Sequence, residues 1–210
     1  MESQTQDQST SFQAAPANLV YTLPTILEPL CLPNLFPVEQ PLEVELGSGD
    51  GSFLLSYAKL HPERNFLGVE RLLGRVNKLD RKGRRMNLIN LRGLRIESTY
   101  FLQYLLPPHS TEALHIYFPD PWPKKKHRKK RLINERFPEL AAQALVSNGE
   151  VHLRTDDADY FEQMTDVFKA ASRFEGTETP VELATHFTDF EREFISQGKT
   201  THRASYRLKP

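Results

Sequence analysis

The stretch FPDPWPKKKHRKKR, residues 118–131, joins an acid in an aromatic turn to a dense run of positive charge. Asp120 lies between two prolines and is followed by Pro121 and Trp122. Proline fixes its own φ and restricts the residue before it, so we expect the carboxylate to sit on a stiff, extended piece of backbone. Seven of the eight residues 124–131 are Lys or Arg. Such a pairing is typical of a site that aims a charge at a reacting group and binds a polyanion beside it.

A second candidate site is the glycine-rich stretch ELGSGDG, residues 45–51. Its glycines allow a tight turn and let a ligand approach the main chain closely. The dinucleotide fingerprint would require glycine where the chain has Ser52, and no lysine of a phosphate-binding loop follows. The loop therefore suits a nucleoside ligand without a pyrophosphate, and a purely structural glycine turn is the alternative.

Acidic residues end the predicted strands one after another: Glu45, Glu70, Glu97, Asp120 and Asp156. Ligands of parallel sheets bind at the carboxyl ends of the strands, so we expect these acids to form a polar rim. Glu70 is placed to accept from both hydroxyls of a ribose. Glu97 is placed either to accept from an adenine amino group or to be a solvated surface acid. A nucleoside without phosphates on this rim points to S-adenosylmethionine.

Strand-like and helix-like segments alternate five times along the chain, which predicts an α/β fold with a mostly parallel sheet. The predicted strands are LEVELG, NFLGVE, LRGLRIE, ALHIYFPD, EVHLRTD and HRASYRL, and the predicted helices are SFLLSYAKLHP, RLLGRVNKLDRKGRRMNL, TYFLQYLL, FPELAAQALVSNG and ADYFEQMTDVFKAA. The fourth helix is predicted to end at its Asn-Gly pair. Residues 71–95 carry nine Lys or Arg and one acid, Asp80, so they form a second basic segment.

Composition limits the class of protein. The 210 residues include 27 basic and 27 acidic ones, so polyanion binding must come from local patches. The one cysteine, Cys31, excludes an internal disulfide and a cysteine metal site, and it favours a reducing compartment. No run of about 18 apolar residues and no signal-peptide pattern is seen. We therefore expect a cytoplasmic protein with neither a membrane span nor a bound metal.

The predicted domain organisation is simple. Residues 1–17 are polar and rich in Gln, Ser and Thr, which predicts a disordered tail. Residues 18–41 hold five prolines and no clear period, which predicts an irregular segment. We expect residues 18–210 to form a single domain.

With these motifs identified, the chain resembles the bacterial tRNA (guanine-N7-)-methyltransferases. The motifs that carry the resemblance are VELGSGDG, GVE, FPDPWPKKKHRKKR, LRTDD and TDFEREFISQGKTTHRASY, in the family's order and approximate spacing. The resemblance covers about residues 40–210. It implies a Rossmann-like class I methyltransferase fold with helices on both faces of a seven-stranded, mostly parallel sheet that has one antiparallel strand near the C-terminus. Six strands are clear from the pattern, so the seventh is expected within residues 173–190.

The resemblance also implies an activity and a set of site residues. The family transfers a methyl group from S-adenosylmethionine to N7 of the guanine at position 46, in the variable loop of tRNA. The implied cofactor-binding residues are Glu45, Gly47, Gly49, Glu70, Glu97 and Asp120, and Asp120 is also the expected catalytic residue. The implied substrate-binding residues are Lys124, Asp156, Thr188, Asp189, Phe190 and Glu191. The residues expected to contact the tRNA backbone are Lys125, Lys126, Arg128, Lys129, Lys130 and Arg131.

The chemistry of guanine N7 explains why no nucleophile–histidine–acid set is found. N7 has a free lone pair, so transfer needs alignment of two atoms more than proton removal. Asp120 is placed to accept either from the Watson–Crick edge of guanine or from the cofactor ammonium, and Trp122 either packs under the turn or stacks on the base. A methyltransferase acting on another RNA, a small molecule or a protein is one alternative. A non-catalytic RNA-binding module is another, and Ser52 disfavours a NAD-dependent oxidoreductase.

Overall fold

The structure, a computed structural model, describes residues 18–210, and the tail predicted at residues 1–17 lies outside the described residues. Within the described range, eight strands form one sheet. They are β1 (Val20–Tyr21), β2 (Leu42–Leu46), β3 (Asn65–Glu70), β4 (Leu91–Arg95), β5 (Thr111–Tyr117), β6 (Leu145–Thr155), β7 (Phe174–Thr177) and β8 (His202–Leu208). Their order across the sheet is β1-β4-β3-β2-β5-β6-β8-β7.

Helices follow most of the strands. They are α1 (Ser52–Leu60), α2 (Leu73–Arg85), α3 (Ser98–Tyr100), α4 (Phe137–Ala144), α5 (Ala158–Ala170), α6 (Val181–Thr185) and α7 (Asp189–Ser196). A π-helical turn, Phe101–Leu105, extends α3, and 3-10 turns lie at Leu32–Asn34 and Lys125–Lys130. We call the turn at Lys125–Lys130 the basic turn.

The predicted α/β architecture is confirmed, with one strand more than expected. The seventh strand does lie within residues 173–190, as β7. The eighth is β1, whose two residues pair with Gly93 and Leu94 at the edge of β4, too short a run to be visible as a pattern. β8 is antiparallel to both of its neighbours, whereas the other pairings are parallel. The mostly parallel sheet with an antiparallel C-terminal strand is therefore as predicted.

The boundary between α4 and β6 corrects one prediction. The helix ends at Ala144 rather than at the Asn-Gly pair, and β6 begins at once with Leu145. Leu145 is fully buried and pairs with Thr111 of β5, and Asn148 takes a left-handed φ of 63° within the strand. The helix was predicted to extend too far because a buried leucine at position 145 fits both the apolar pattern of a helix and that of a strand.

Apolar clusters cover both faces of the sheet, because alternate residues of a strand point to opposite faces. On one face, Phe137 of α4 and Tyr160 of α5 belong to the same cluster as Val44 of β2. On the other, Phe53 of α1 and Leu79 of α2 belong to a cluster with Phe66 of β3. Helices on both faces were predicted, and the two clusters confirm them.

Strand β2 is the point at which the chain changes direction across the sheet. β3 and then β4 lie on one side of β2, whereas β5 and then β6 lie on the other. The connections that leave the carboxyl ends of β2, β3 and β5 therefore start beside one another, where ligands of such sheets bind. These connections are the glycine loop, the start of α2 and the turn that holds Asp120.

Candidate functional site

A cleft of about 360 Å³ lies at this carboxyl edge of the sheet. Gly47 contributes the glycine loop to its lining, Glu70 and Glu97 contribute two of the predicted rim acids, and Asp120 and Trp122 contribute the proline-rich turn. The cleft therefore brings together residues that are distant in the sequence, because Gly47 and Trp122 are 75 positions apart. Three of the five acids predicted to share one rim, Glu70, Glu97 and Asp120, line this cleft, whereas Glu45 and Asp156 do not.

The glycine loop needs its glycines for two different reasons. Gly47 has a φ of 82°, a left-handed conformation that side chains rarely adopt, although a Cβ there would meet no atom within 4 Å. Gly51 also has a positive φ, of 83°, and its Cβ would come within 2.9 Å of Cγ of Leu79. The first glycine is thus required by backbone shape alone, and the second also by the close packing of α2.

Glu70 ties the glycine loop to the start of α2. It is 5% exposed, and its two carboxylate oxygens accept hydrogen bonds from the backbone N–H groups of Gly49 (3.1 Å) and Leu72 (2.8 Å). The guanidinium of Arg75 lies 3.8 Å away. Each carboxylate oxygen has a second acceptor position, so the predicted contact with ribose hydroxyls is compatible with these bonds.

Glu45 lies just before the glycine loop and is buried at 4% exposure. Burial raises the pKa of its carboxyl to about 8, against the opposing effect of Arg154, and Asp50 and Glu70 raise it further. Among the described residues, Oε2 of Glu45 and Oγ of Ser48 are buried without a hydrogen-bond partner. Buried polar atoms are normally bonded. These two atoms therefore fit a ligand that forms hydrogen bonds with this end of β2.

Glu97 is exposed and serves first as a helix cap. Its carboxylate oxygens accept from the N–H groups of Thr99 (2.9 Å) and Tyr100 (2.8 Å) at the start of α3. The side chain still lines the cleft. Its predicted contact with an adenine amino group would use the remaining acceptor positions.

The turn that carries Asp120 is stiffer than its prolines alone predict. Phe118 and Trp122, the aromatic residues on either side, have left-handed φ values of 51° and 44°. Such a conformation costs on the order of 1–3 kcal/mol for a residue other than glycine and persists where surrounding contacts impose it. The N–H of Phe118 donates to the carbonyl of Arg154 (2.9 Å), which fixes one end. The Asp120 side chain is 71% exposed, with the guanidinium of Arg71 at 3.8 Å.

Trp122 connects the turn that carries Asp120 to the basic turn. The Nζ of Lys130 lies 4.8 Å from the centre of the indole ring, and the His127 ring meets it edge-on at 5.9 Å. The indole is partly buried and lines the cleft. It packs against the cations of the basic turn while one side of it remains available to a ligand.

Most cations of the basic run are exposed, with one exception that corrects a prediction. Arg128 is partly exposed and pairs with Asp159 at 2.5 Å. Arg131 is 1% exposed, and its guanidinium contacts Asp159 (2.6 Å), the carbonyl of Pro121 (2.7 Å) and the ring of Tyr160 (4.6 Å). Arg131 therefore anchors the turn to α5 and is not available to tRNA phosphates.

The C-terminal segment places its motif residues in different environments. Thr188 caps α7 and forms a capping box with Glu191, and both side chains are buried. The Glu191 carboxylate pairs with Arg154 (2.6 Å) and Arg203 (2.8 Å). Direct contact of Thr188 or Glu191 with tRNA does not occur in this arrangement, because both hold the helix in place. Asp189 is exposed.

Two further motif residues lie beside this segment. Asp156 is partly exposed and has Nζ of Lys199 at 4.0 Å. The backbone of Phe190 lies in α7, but its side chain lies outside what the structure describes.

Arg154 is the central contact of the C-terminal segment, a role that the sequence analysis did not assign to it. Its guanidinium lies over the ring of Tyr117 (4.1 Å) and donates to the carbonyls of His186 (2.8 Å) and Leu183. The ring of Phe194 in α7 meets that of Phe118 at 5.4 Å. The segment is therefore fastened to the ends of β5 and β6, directly beside the Asp120 turn. A charged residue at an inward position of a buried strand is the signal that would have pointed to it.

A larger cavity, of about 430 Å³, lies at the opposite edge of the sheet. There the imidazole of His115 bridges the Glu43 carboxylate (2.7 Å) and the Tyr117 hydroxyl (2.8 Å). Burial raises the pKa of Glu43, but its contacts, led by His115, outweigh burial and lower it to about 2. Burial lowers the pKa of His152 to about 3. Glu43, His115 and Tyr117 therefore satisfy one another, and His152 is hydrogen-bonded to Ser205 (2.9 Å).

Neither a metal site nor a membrane span is found in the described part of the chain. No group of three His, Cys, Asp or Glu side chains in residues 18–210 is arranged to hold a metal ion. None of the helices in that range is long and apolar enough to cross a bilayer.

Comparison with known proteins places the chain among methyltransferases. A family model described as "Putative methyltransferase" matches residues 39–204. The tRNA (guanine-N(7)-)-methyltransferase of Halorhodospira halophila is 39% identical, with 85% of this chain and 80% of that protein covered. The protein of the same name from Syntrophotalea carbinolica is 33% identical, with 89% and 82% covered.

Solved structures agree on the fold. A 30S ribosomal A1408 methyltransferase from an uncultured bacterium matches with a TM-score of 0.59 and 18% identity, over 84% of this chain and 92% of that one. The 16S rRNA methyltransferase KamB matches with a TM-score of 0.57 and 16% identity, over 81% and 89%. At such low identity these likenesses support the fold alone.

Proposed function

The chain belongs to the family of tRNA (guanine-N(7)-)-methyltransferases, and from this premise we propose that it methylates N7 of the guanine at position 46 in the variable loop of tRNA, using S-adenosylmethionine. The observation that carries the proposal is the cleft itself, where the glycine loop and the strained Asp120 turn face each other beside an exposed basic turn. Because tRNA is the substrate, we expect the enzyme to act in the cytoplasm.

The residues at the carboxyl ends of β2 and β3 fit S-adenosylmethionine. Glu70 has free acceptor positions for ribose hydroxyls, and the unpartnered Oε2 of Glu45 needs a hydrogen-bond partner that the ligand could supply. Gly47 and Gly49 leave the main chain open to close approach, and Glu97 lines the far side of the cleft. When bound, this cofactor supplies an electrophilic methyl group on a sulfonium.

The protein's part in the reaction is orientation and charge. Guanine N7 attacks with a free lone pair, so no residue has to remove a proton from it, and alignment of the reacting atoms supplies most of the acceleration. Asp120 is exposed at the cleft on a turn that two left-handed residues hold rigid. Its carboxylate either accepts from the Watson–Crick edge of the guanine or holds the cofactor ammonium. In both positions its negative charge favours the cation that methylation of N7 creates.

The tRNA backbone is held by the exposed cations next to the Asp120 turn. These are Lys124, Lys125, Lys126, Lys129 and Lys130, with Arg128 partly exposed beside Asp159. Asp156 and Asp189 are accessible to the substrate, whereas Thr188 and Glu191 are buried and hold α7 in position. The contacts with phosphates are expected to be sequence-independent and to weaken with salt.

The test is transfer of labelled methyl from S-adenosylmethionine to an unmodified tRNA transcript, followed by identification of the methylated nucleoside. We expect 7-methylguanosine at position 46 and no transfer to a transcript with adenosine at that position. Transfer to both transcripts would reject position 46. Binding of tRNA with no cofactor binding and no transfer would instead identify a non-catalytic RNA-binding module.

A further inference from the structure

Helix α2 carries a row of cations along one outward side. Its members follow one another at intervals of three or four residues, which places them on one side of a helix. We call them the α2 row: Arg75, Lys78, Lys82 and Arg85 lie within the helix, and Arg71 lies two residues before its first residue. Lys82 is partly exposed and the other four are exposed. The opposite side of the helix is buried through residues such as Val76 and Leu79.

The one acid within α2 points away from this row. Asp80 is 9% exposed, and its carboxylate accepts from the N–H of Leu19 (2.8 Å) and from Nε of Arg84 (3.1 Å). The outward side of α2 therefore receives no negative charge from the helix itself. In a chain whose total charge is zero, this is a marked local separation of charge.

The row begins at the cleft and runs away from it. The guanidinium of Arg71 lies 3.8 Å from the Asp120 carboxylate, and that of Arg75 lies 3.8 Å from Glu70. Both arginines line the cleft. Further along, Lys78 and Arg85 have no carboxylate within 4.0 Å among residues 18–210. A helix of 13 residues is about 20 Å long, so the row extends well beyond the target nucleotide.

The row and the basic turn lie on opposite sides of the cleft. α2 follows β3 and the basic turn follows β5, and these strands flank β2 on its two sides. Arg71 and Arg75 line the cleft on the β3 side, and Trp122 and Lys130 line it with the β5 connection. A polynucleotide that places one base in the cleft can therefore meet cations in both directions.

We propose that the α2 row is a second phosphate-binding surface, which holds the RNA backbone on the side of the cleft opposite the basic turn. This inference rests on the proposed function, because it assumes a tRNA substrate. The row presents charge without groups arranged to read bases, so it contributes affinity and placement rather than sequence preference. A short oligonucleotide around the target would not reach the far end of the row, and a folded tRNA would.

The test is Lys78→Gln with Arg85→Gln, a pair that leaves intact the cleft contacts of Arg71 and Arg75 and the ion pair of Lys82 with Asp50 (2.7 Å). Binding of unmodified tRNA is measured from 50 to 200 mM salt. Each lost phosphate contact lowers the slope of log K against log salt by about 0.7–0.9. For two contacts, the ratio of variant to wild-type Kd therefore falls roughly tenfold over this range. Cofactor affinity and kcat at saturating tRNA are expected to be unchanged.

A matched control removes two exposed lysines far from the cleft, Lys59→Gln with Lys169→Gln, and its salt plot should overlay that of the wild type. A third variant, Lys125→Ala with Lys129→Ala and Lys130→Ala, tests whether the basic turn is the first phosphate-binding surface.

If the basic-turn variant loses affinity and the α2 variant does not, the second surface is wrong and the proposed function stands. If the wild-type protein neither binds nor methylates tRNA, the proposed function itself fails. Equal losses in the α2 and control variants would also reject the second surface.

Discussion

Glu191→Gln is predicted to loosen the C-terminal segment from the sheet. The Glu191 side chain is fully buried and accepts from Arg154 (2.6 Å), Arg203 (2.8 Å) and the N–H of Thr188 (3.0 Å). Glutamine has nearly the same shape but no charge, and one of its terminal atoms is a donor instead of an acceptor. Arg154, itself 1% exposed, would remain in the interior without an anion.

The magnitude follows from the burial of the two arginines. Removing one partner of a buried ion pair costs about 3–5 kcal/mol. Arg203 is 26% exposed and the glutamine oxygen can still accept one bond, so we expect the lower end, about 3 kcal/mol. For a domain of this size that lowers Tm by roughly 6–12 °C. Amide exchange in α7 should accelerate, since this helix is the element that loses its anchor.

The assay is thermal unfolding together with hydrogen exchange of α7, and the matched control is Arg192→Gln. Arg192 forms an ion pair with Asp189 in the same helix, with the two side chains 62% and 66% exposed. An exposed pair contributes about 0–1 kcal/mol. If Glu191→Gln unfolds no earlier than the control, the buried cluster does not hold the segment and our account of α7 is wrong.

Three further predictions concern the cleft. Glu70→Ala should weaken S-adenosylmethionine binding by on the order of 1–3 kcal/mol, because ligand hydroxyls lose their acceptor; an unchanged Kd by calorimetry would contradict this. Gly51→Ala should destabilise the fold, because Cβ would meet Leu79 at 2.9 Å in a left-handed residue; denaturant unfolding equal to wild type would show that the loop relaxes. Because burial raises the pKa of Glu45 to about 8, the folded protein keeps a proton that the unfolded chain releases above its ordinary pKa. The contribution of this proton to the stability of the folded protein is full at low pH and is lost as pH rises towards 8. The wild type should therefore lose stability between pH 5 and pH 8 relative to Glu45→Gln, which has no such proton to lose. Parallel stability curves for the two proteins would refute that assignment.

The fold was largely predictable because its strands are short apolar runs that end in glycine or an acid. β2 and β3 are buried at every position, and their apolar residues were a sufficient signal for a strand although buried polar residues such as Glu43 and Asn65 lie among them. β1 was not predicted because two residues are too few to show a periodic pattern. The end of α4 was misplaced because Leu145 fits a helix face and a buried strand equally.

Site residues could be predicted where their place depends on the local sequence. They could not be predicted where it depends on contacts with residues distant in the chain. Glu70, Glu97 and Asp120 follow strand ends, so their convergence at the cleft needed only the strand order. The burial of Arg131 depends on Asp159, and that of Glu191 depends on Arg154, and these pairs are 28 and 37 residues apart in the chain. No local pattern separates such an arginine from a phosphate-binding one. The left-handed backbone of Phe118 and Trp122 was equally hidden, because aromatic residues seldom adopt it.

The most direct measurement for the central claim is the single-turnover rate of methyl transfer to tRNA by Asp120→Asn. The side chain is exposed and nearly isosteric with asparagine, so folding and Tm should stay close to those of the wild type. Loss of one well-aimed electrostatic group should lower the rate by about 10²–10³. A rate within a factor of about three of the wild type, with normal folding, would contradict the assignment of Asp120 and its turn as the reaction centre.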